Sequence, residues 1–264
     1  MTNAALQLRQ IHVTRYLTPL REGGSMPAIA EGDDDFLYVL KFRGAGQGTK
    51  ALIAELLGGE IARKLGFKVP ELVFAQVDAA FGRTEPDEEI QDLLKFSEGL
   101  NIALHYLSGA ITFDPVVNKI DALLASQVVW LDSFLMNMDR TPKNTNMLVW
   151  HNELWLIDHG ASFYFHHSWN NWNAQASAPF TLIKDHVLLP YASALEEVND
   201  VFSTLLTTDF IQQLVRTLPE DWLTEAPFLS VEEHRNAYVW FLQQRLKHTN
   251  ILVQEANDAR KILI

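Results

Sequence analysis

The sequence contains no cysteine. That excludes a disulfide framework, thiolate zinc sites, iron–sulfur ligation and a thiol nucleophile. It also lacks any apolar run of the roughly 18 residues that a membrane-crossing helix requires, so no membrane partner is expected. Residues 1–10 show no basic stretch leading into an apolar one, so no signal peptide is expected and the cytoplasm is the expected compartment. Positive charge is scarce: 21 Lys and Arg stand against 33 Asp and Glu, a net charge of −12. A broad nucleic-acid surface needs clustered cations against phosphates, so direct nucleic-acid binding is not expected. A single nucleotide remains possible, because a few side chains and a divalent cation suffice to hold one. Internal repeats and low-complexity segments are absent.

Apolar residues are plentiful. They make up 48% of the 264 residues and include 15 Phe, 7 Trp and 6 Tyr, a composition incompatible with disorder. A chain of this length buries roughly three quarters of its unfolded surface and needs no covalent staple. It suits one large domain or two lobes sharing an interface.

Periodicity divides the chain. Residues 9–16 alternate apolar and polar as a strand does, and 36–42 form a second, β-branched and aromatic run. Residues 49–65 carry Leu52, Leu56, Ile61 and Leu65 at helical spacing, and Gly66 ends the pattern. Residues 70–77 read as a strand, 84–89 as an acidic solvated loop, and 99–107 as an apolar segment ended by Ser108-Gly109. Beyond it, 121–136 is a strongly apolar helix, and 146–150 with 154–157 has the signature of a hairpin. The last third reads as helices over 192–206, 209–217 and 231–252. Trp169-Asn170-Asn171-Trp172-Asn173 reads as a packed tryptophan loop. His159, His166 and His167 lack the spacing of a metal cluster.

Three polar positions stand out because their surroundings are apolar. Lys41 is the one charge in the strand 36–42. Burying its ammonium requires a carboxylate or phosphate, and Glu55 is available; an edge strand with the amine in water would serve equally. Asp139-Arg140-Thr141-Pro142-Lys143-Asn144 links an apolar helix to an apolar strand. Asp139 can accept a hydroxyl proton and Asn144 offers a hard oxygen ligand for Mg²⁺, although Asp, Asn and Pro also suit a plain turn. Asp158 ends the strand Leu156-Ile157. A loop, a hairpin and a second acidic loop would bring Asp139, Asn144 and Asp158 to one edge. One carboxylate near a nucleophile, with an Asn and an Asp on metal, is the equipment of phosphoryl transfer.

This order of residues resembles the protein-kinase-like superfamily, in the variant found in HipA-like serine/threonine kinases and phosphoinositide kinases. The likeness is carried by Asp139-Arg140-x-x-x-Asn144, the hairpin and Ile157-Asp158-x-Gly160. Lys41, Ala54-Glu55 and Gly66-Phe67-Lys68-Val69-Pro70-Glu71 add to it, and it spans about residues 8–185. Thr141-Pro142 replaces the His that the family commonly has after Asp-Arg.

The resemblance implies an α+β, two-lobed protein-kinase-like fold. A small β-rich lobe with one helix would cover 1–104, and a larger, mainly helical lobe 105–264. It implies ATP and Mg²⁺ as cofactors and a protein serine or threonine hydroxyl as acceptor. A small-molecule or lipid kinase and a nucleotide-binding pseudokinase are the alternatives. By position, Lys41 would hold the α and β phosphates with Glu55 as its partner. Gly23, Gly24 and Ser25 would form the phosphate-covering loop. The hinge around Leu104, His105 and Tyr106 would meet adenine. Asp139 would orient the acceptor and take its proton, and Asn144 and Asp158 would hold Mg²⁺.

Overall fold

The computed structural model describes residues 6–20, 26–79, 81, 87–224 and 227–263. Five strands near the N-terminus close into a barrel. They are β1 (Gln10–Pro19), β2 (Ala28–Gly32), β3 (Leu37–Lys41), β4 (Leu72–Val77) and β5 (Gly99–His105), in the order β1-β2-β3-β5-β4. The β1–β4 pair is parallel and the other pairs are antiparallel. Strand alternation sorts the side chains. Leu40, Val73, Ala75, Val77 and Ala103 join Ile11, Ala28, Ala30 and Tyr38 in the barrel interior. Leu72, Ile102 and Leu104 turn outward into a larger core.

Helix α1 (Gly48–Lys64) fills the space between the barrel and the C-terminal part. Every residue from Leu52 to Ala62 is buried, as expected for a helix covered on all sides. A second helix, α2 (Glu88–Phe96), corrects the reading of a single helix in this region and of 87–89 as part of a solvated loop; 84–86 lie outside the described residues. Asp87 caps it by accepting from the Glu89 amide, and Ile90, Leu93 and Leu94 place an apolar face in the barrel core.

The C-terminal part is helical around a small sheet. Strands β6 (Ile111–Thr112), β7 (Met147–Trp150) and β8 (Glu153–Leu156) pair antiparallel in that order. The β7–β8 turn is the two-residue His151-Asn152, both at positive φ, as a tight hairpin demands. Helix α3 (Ala122–Leu135) is buried along most of its length, followed in sequence by α4 (Trp172–Gln175), α5 (Leu195–Leu205), α6 (Thr208–Arg216), α7 (Val231–Lys247) and α8 (Thr249–Leu263). The periodic run 231–252 is therefore two helices, parted at His248. The tryptophan loop is packed as its composition suggests: Trp169 is buried and contacts Phe165, Phe228 and Tyr238. Among the described residues no helix is long and apolar enough to cross a membrane.

Candidate active site

The site begins where α3 stops. Met136 adopts the left-handed conformation, and the Asn137 amide bonds back to Asp132 O at 2.9 Å, turning the chain into the 137–146 loop. Asp132, one turn inside the helix, is fully buried. It accepts from Arg140 Nε at 2.5 Å, His186 Nε2 at 2.9 Å and Asn137 Nδ2 at 3.0 Å. The Leu188 amide donates to His186 Nδ1 at 3.0 Å, which fixes the imidazole as the tautomer with its proton on Nε2. Burial lowers the His186 pKa, so this ring is neutral, the pull of Asp132 notwithstanding. Burial pushes the Asp132 carboxyl up, but Arg140 and His186 outweigh it and hold the group well below the usual carboxylate range.

Arg140 also donates to the Asn146 carbonyl, and its own carbonyl accepts from Val187 N at 3.0 Å. A buried guanidinium thus ties both ends of the loop to one carboxylate. Within the loop, Thr141 and Asn144 exchange backbone bonds of 2.9 and 3.1 Å around Pro142 and Lys143. Proline suits the first central position of such a turn, which gives Thr141-Pro142 a structural role in this loop.

The loop presents Asp139, half-buried. Its Oδ2 accepts from Asn144 Nδ2 at 2.7 Å and from Asn146 Nδ2 at 3.1 Å. Burial raises the Asp139 pKa, the nearby Asp158 charge raises it further, and the two amide donors oppose the shift. With its amide nitrogen committed to a carboxylate, Asn144 leaves Oδ1 for another ligand.

Asp158 follows β8 with φ +54°, a left-handed conformation that Asp tolerates better than most side chains. The Ile157 amide bonds to Asn146 O at 3.1 Å, which ties the Asp158 turn to the 137–146 loop. Across the gap, Lys41 at the end of β3 places Nζ 2.7 Å from Asp158 Oδ1 and 3.7 Å from Glu55 Oε2 on α1. Burial acts against the Lys41 charge, but Asp158 and Glu55 overcome it and raise the pKa. Burial likewise opposes the Asp158 charge, and Lys41 overcomes it and lowers that pKa. The structure therefore brings together Lys41, Glu55 and Asp158, and separately Asp139 and Asn144, with the Asp139–Asp158 repulsion linking the two groups.

His105 ends β5 and Tyr106 follows it. The His105 ring packs against Phe36 and Tyr38, with centroids 5.5 and 5.9 Å away. The His105 amide donates to Glu71 O at 2.9 Å and the Tyr106 amide to Leu37 O at 2.8 Å. Both N–H groups are thus already used, and Leu107 N is the next backbone donor along the chain. Gly23, Gly24 and Ser25 lie outside the described residues.

Sequence reasoning missed Asp132, Asn146 and His186. An aspartate inside an apolar helix was a readable signal for the first. His186 carried none, since its partner is 54 positions away. His159 is fully buried, with Nδ1 3.9 Å from Glu55 Oε1 and its Cβ against Gly58. Among the described residues no three His, Asp or Glu side chains form a metal-binding group. The candidate donors are Asn144 Oδ1 and the Asp158 carboxylate, on two turns joined by the Ile157–Asn146 backbone bond. These hard oxygens suit Mg²⁺, an ion that habitually draws its remaining ligands from phosphate and water.

The HipA-like kinase family model matches residues 13–250. The chain belongs to this family. No curated protein matches the chain. Among solved structures, the HipA-like fold seen here is similar to the Helicobacter pylori proinflammatory kinase CtkA. That likeness has 13% identity and a TM-score of 0.56, and covers 98% of this chain and 99% of the other. At that identity it speaks to the fold, a β-rich N-terminal region followed by a helical part. The Golgi casein kinase with Mn/ADP bound is more distant, at 12% identity and a TM-score of 0.46, over 97% of this chain and 74% of that one.

Proposed function

We propose that this HipA-like kinase is an ATP- and Mg²⁺-dependent phosphotransferase that acts in the cytoplasm on a serine or threonine hydroxyl of a protein. In this reading the β-rich lobe spans 1–104 and the helical lobe 105–264, with the site between them. The observation that carries it is the convergence of Lys41, Glu55 and Asp158 beside the Asp139–Asn144 pair.

Each residue has a task set by its chemistry. Lys41 supplies a fixed positive charge for the α and β phosphates, and Glu55 keeps that ammonium aimed when Asp158 is engaged elsewhere. Asn144 Oδ1 and the Asp158 carboxylate would hold Mg²⁺, which supplies charge neutralisation at the phosphate oxygens when bound. Asp139 is held by two amide donors on one oxygen, so its other oxygen can orient the acceptor hydroxyl and take its proton as the acceptor oxygen bonds the γ-phosphorus and the bond to the departing ADP oxygen breaks. Its raised pKa makes it a better proton acceptor than an ordinary aspartate. In this reading the His105 carbonyl and the Leu107 amide are the backbone groups that would meet adenine. Phosphoryl transfer demands mainly positioning and charge stabilisation, which rigid, internally bonded loops provide.

The test is incubation with labelled ATP and Mg²⁺, alone and with cell lysate, for the natural protein and Asp139→Ala. Label in a polypeptide that requires Asp139 supports the reading. Label only in a small molecule moves the acceptor to a metabolite or lipid. Mg²⁺-dependent nucleotide binding without any transfer would identify a pseudokinase.

A further inference from the structure

The parts of the site come from different regions of the chain, so something must set their relative position. Lys41 belongs to the barrel and Asp158 to the C-terminal part. A short 3₁₀ turn, Glu220–Trp222, reaches from the C-terminal part onto the barrel. Trp222 is 1% exposed, donates from Nε1 to the Leu100 carbonyl at 3.2 Å, and meets Phe74 edge-on at 5.9 Å. Beside it, Asp221 Oδ2 accepts from Arg43 Nη1 at 2.6 Å.

These two grips fall next to the site. Arg43 follows the end of β3 by two residues, and Leu100 precedes by two the residue that pairs with Lys41, Ile102. Asn101 staples the same two strands: its Oδ1 accepts from Arg43 N at 2.8 Å, and its Nδ2 donates to Ser97 O and Gly99 O at 2.8 and 2.9 Å. Gly99, at φ +100°, makes room for the guanidinium; a Cβ there would lie 3.0 Å from Nη1. The turn is braced from behind, where Arg235 Nη2 donates to Leu218 O at 2.7 Å. The same turn and α6 pack against α1, which carries Glu55.

We propose that Arg43, Asp221 and Trp222 form a clasp that holds β3 and β5 at a fixed distance from Asp158, and that they are positioning residues for nucleotide binding. The inference rests on the phosphotransferase reading for its consequence and on the contacts above for its geometry. A half-exposed ion pair contributes little to global stability. Its removal should therefore act on placement more than on folding.

Two measurements on the full chain test this. The first is hydrogen exchange. Arg43→Ala, Asp221→Ala and Trp222→Phe should speed exchange at the β3 and β5 amides while α3 and α7 stay protected; the two ion-pair variants should barely change the melting temperature, whereas Trp222→Phe, which loses buried volume and a hydrogen bond, should lower it. The second is Mg²⁺·ADP affinity by calorimetry together with ATP turnover. Each substitution should weaken affinity and raise KM roughly fivefold to tenfold with kcat much less affected, the sign of lost uniform binding. The Arg43→Ala/Asp221→Ala double variant should be no worse than either single one, because the pair acts as a unit. Unchanged exchange in β3 and β5 would overturn the clasp, and so would unchanged affinity beside intact wild-type binding. If the natural protein binds no Mg²⁺·ADP while the variants still loosen β3 and β5, the clasp stands and the phosphotransferase reading falls.

Discussion

Lys41 Nζ lies 2.7 Å from Asp158 and 3.7 Å from Glu55, so one ammonium answers two carboxylates from different parts of the molecule. Glu55 is 1% exposed, and neither of its oxygens has a hydrogen-bond partner. Lys41→Met leaves that buried carboxylate without its cation, and breaking such a pair costs about 3–5 kcal/mol. Adding Glu55→Gln removes the orphaned charge and should restore most of the loss. Urea unfolding of the two single variants and the double variant checks this. Additive losses would show that the two side chains do not interact. Phosphoryl transfer should be lost in all three.

Asp139 sets activity against stability. Its pKa is raised, first by burial and then by the Asp158 charge. A carboxyl with a raised folded pKa contributes stability that is fully present below its unfolded pKa and lost as pH rises through the folded value. At neutral pH its ionisation therefore weakens the fold. Asp139→Asn keeps an oxygen for Asn144 and Asn146 and removes the charge. It should melt no lower than the natural protein at pH 7 while transfer falls about 10²–10⁴-fold. The acid limb of the kcat profile should lie above the ordinary aspartate range of about 3.9. A melting temperature clearly lower at pH 7 would contradict this balance.

How much of this could be read from the sequence depends on how far apart the partners lie. Asp139, Asn144 and Asp158 stand within twenty positions around one hairpin, so their spacing alone draws them together. Lys41 is visible as a lone charge in an apolar strand. The support beneath them is hidden. Arg140 looks like part of a surface turn until Asp132 and His186, on separate elements, are found around it. Helix α2 escaped because its acidic first turn reads as a solvated loop, although Ile90, Leu93 and Leu94 have helical spacing. The run 231–252 kept its period through His248, where the backbone does not.

That hidden support has its own pH signature. Asp132 is held well below the usual carboxylate range, chiefly by Arg140 against the cost of burial. A depressed folded pKa contributes stability that is present above the unfolded value and lost as pH falls through the folded one. Asp132→Ala should cost about 3–5 kcal/mol near neutrality by stranding the buried Arg140. The cost should shrink on acidification, because the natural protein loses the same interaction. Melting curves at pH 7 and at the lowest pH that keeps the fold measure the difference. A cost independent of pH would assign the loss to packing instead.

Gly58 joins helix α1 to the Asp158 loop through His159. A Cβ at position 58 would lie 2.7 Å from His159 Cβ and 3.2 Å from its Cγ, closer than side chains normally approach. His159 is fully buried, with Nδ1 3.9 Å from Glu55 Oε1, so the ring has little room to yield. On helix propensity alone, Gly→Ala in α1 would stabilise by about 0.8–1 kcal/mol. Here the clash should win, and Gly58→Ala should lower both the melting temperature and phosphoryl transfer by displacing Asp158. In a His159→Gly background, which removes that Cβ as well as the ring, the obstacle is gone, and the same substitution should become neutral or stabilising. That reversal of sign, measured by chemical unfolding, separates steric coupling through His159 from any general intolerance of α1. A Gly58→Ala effect of the same sign in both backgrounds would refute the coupling.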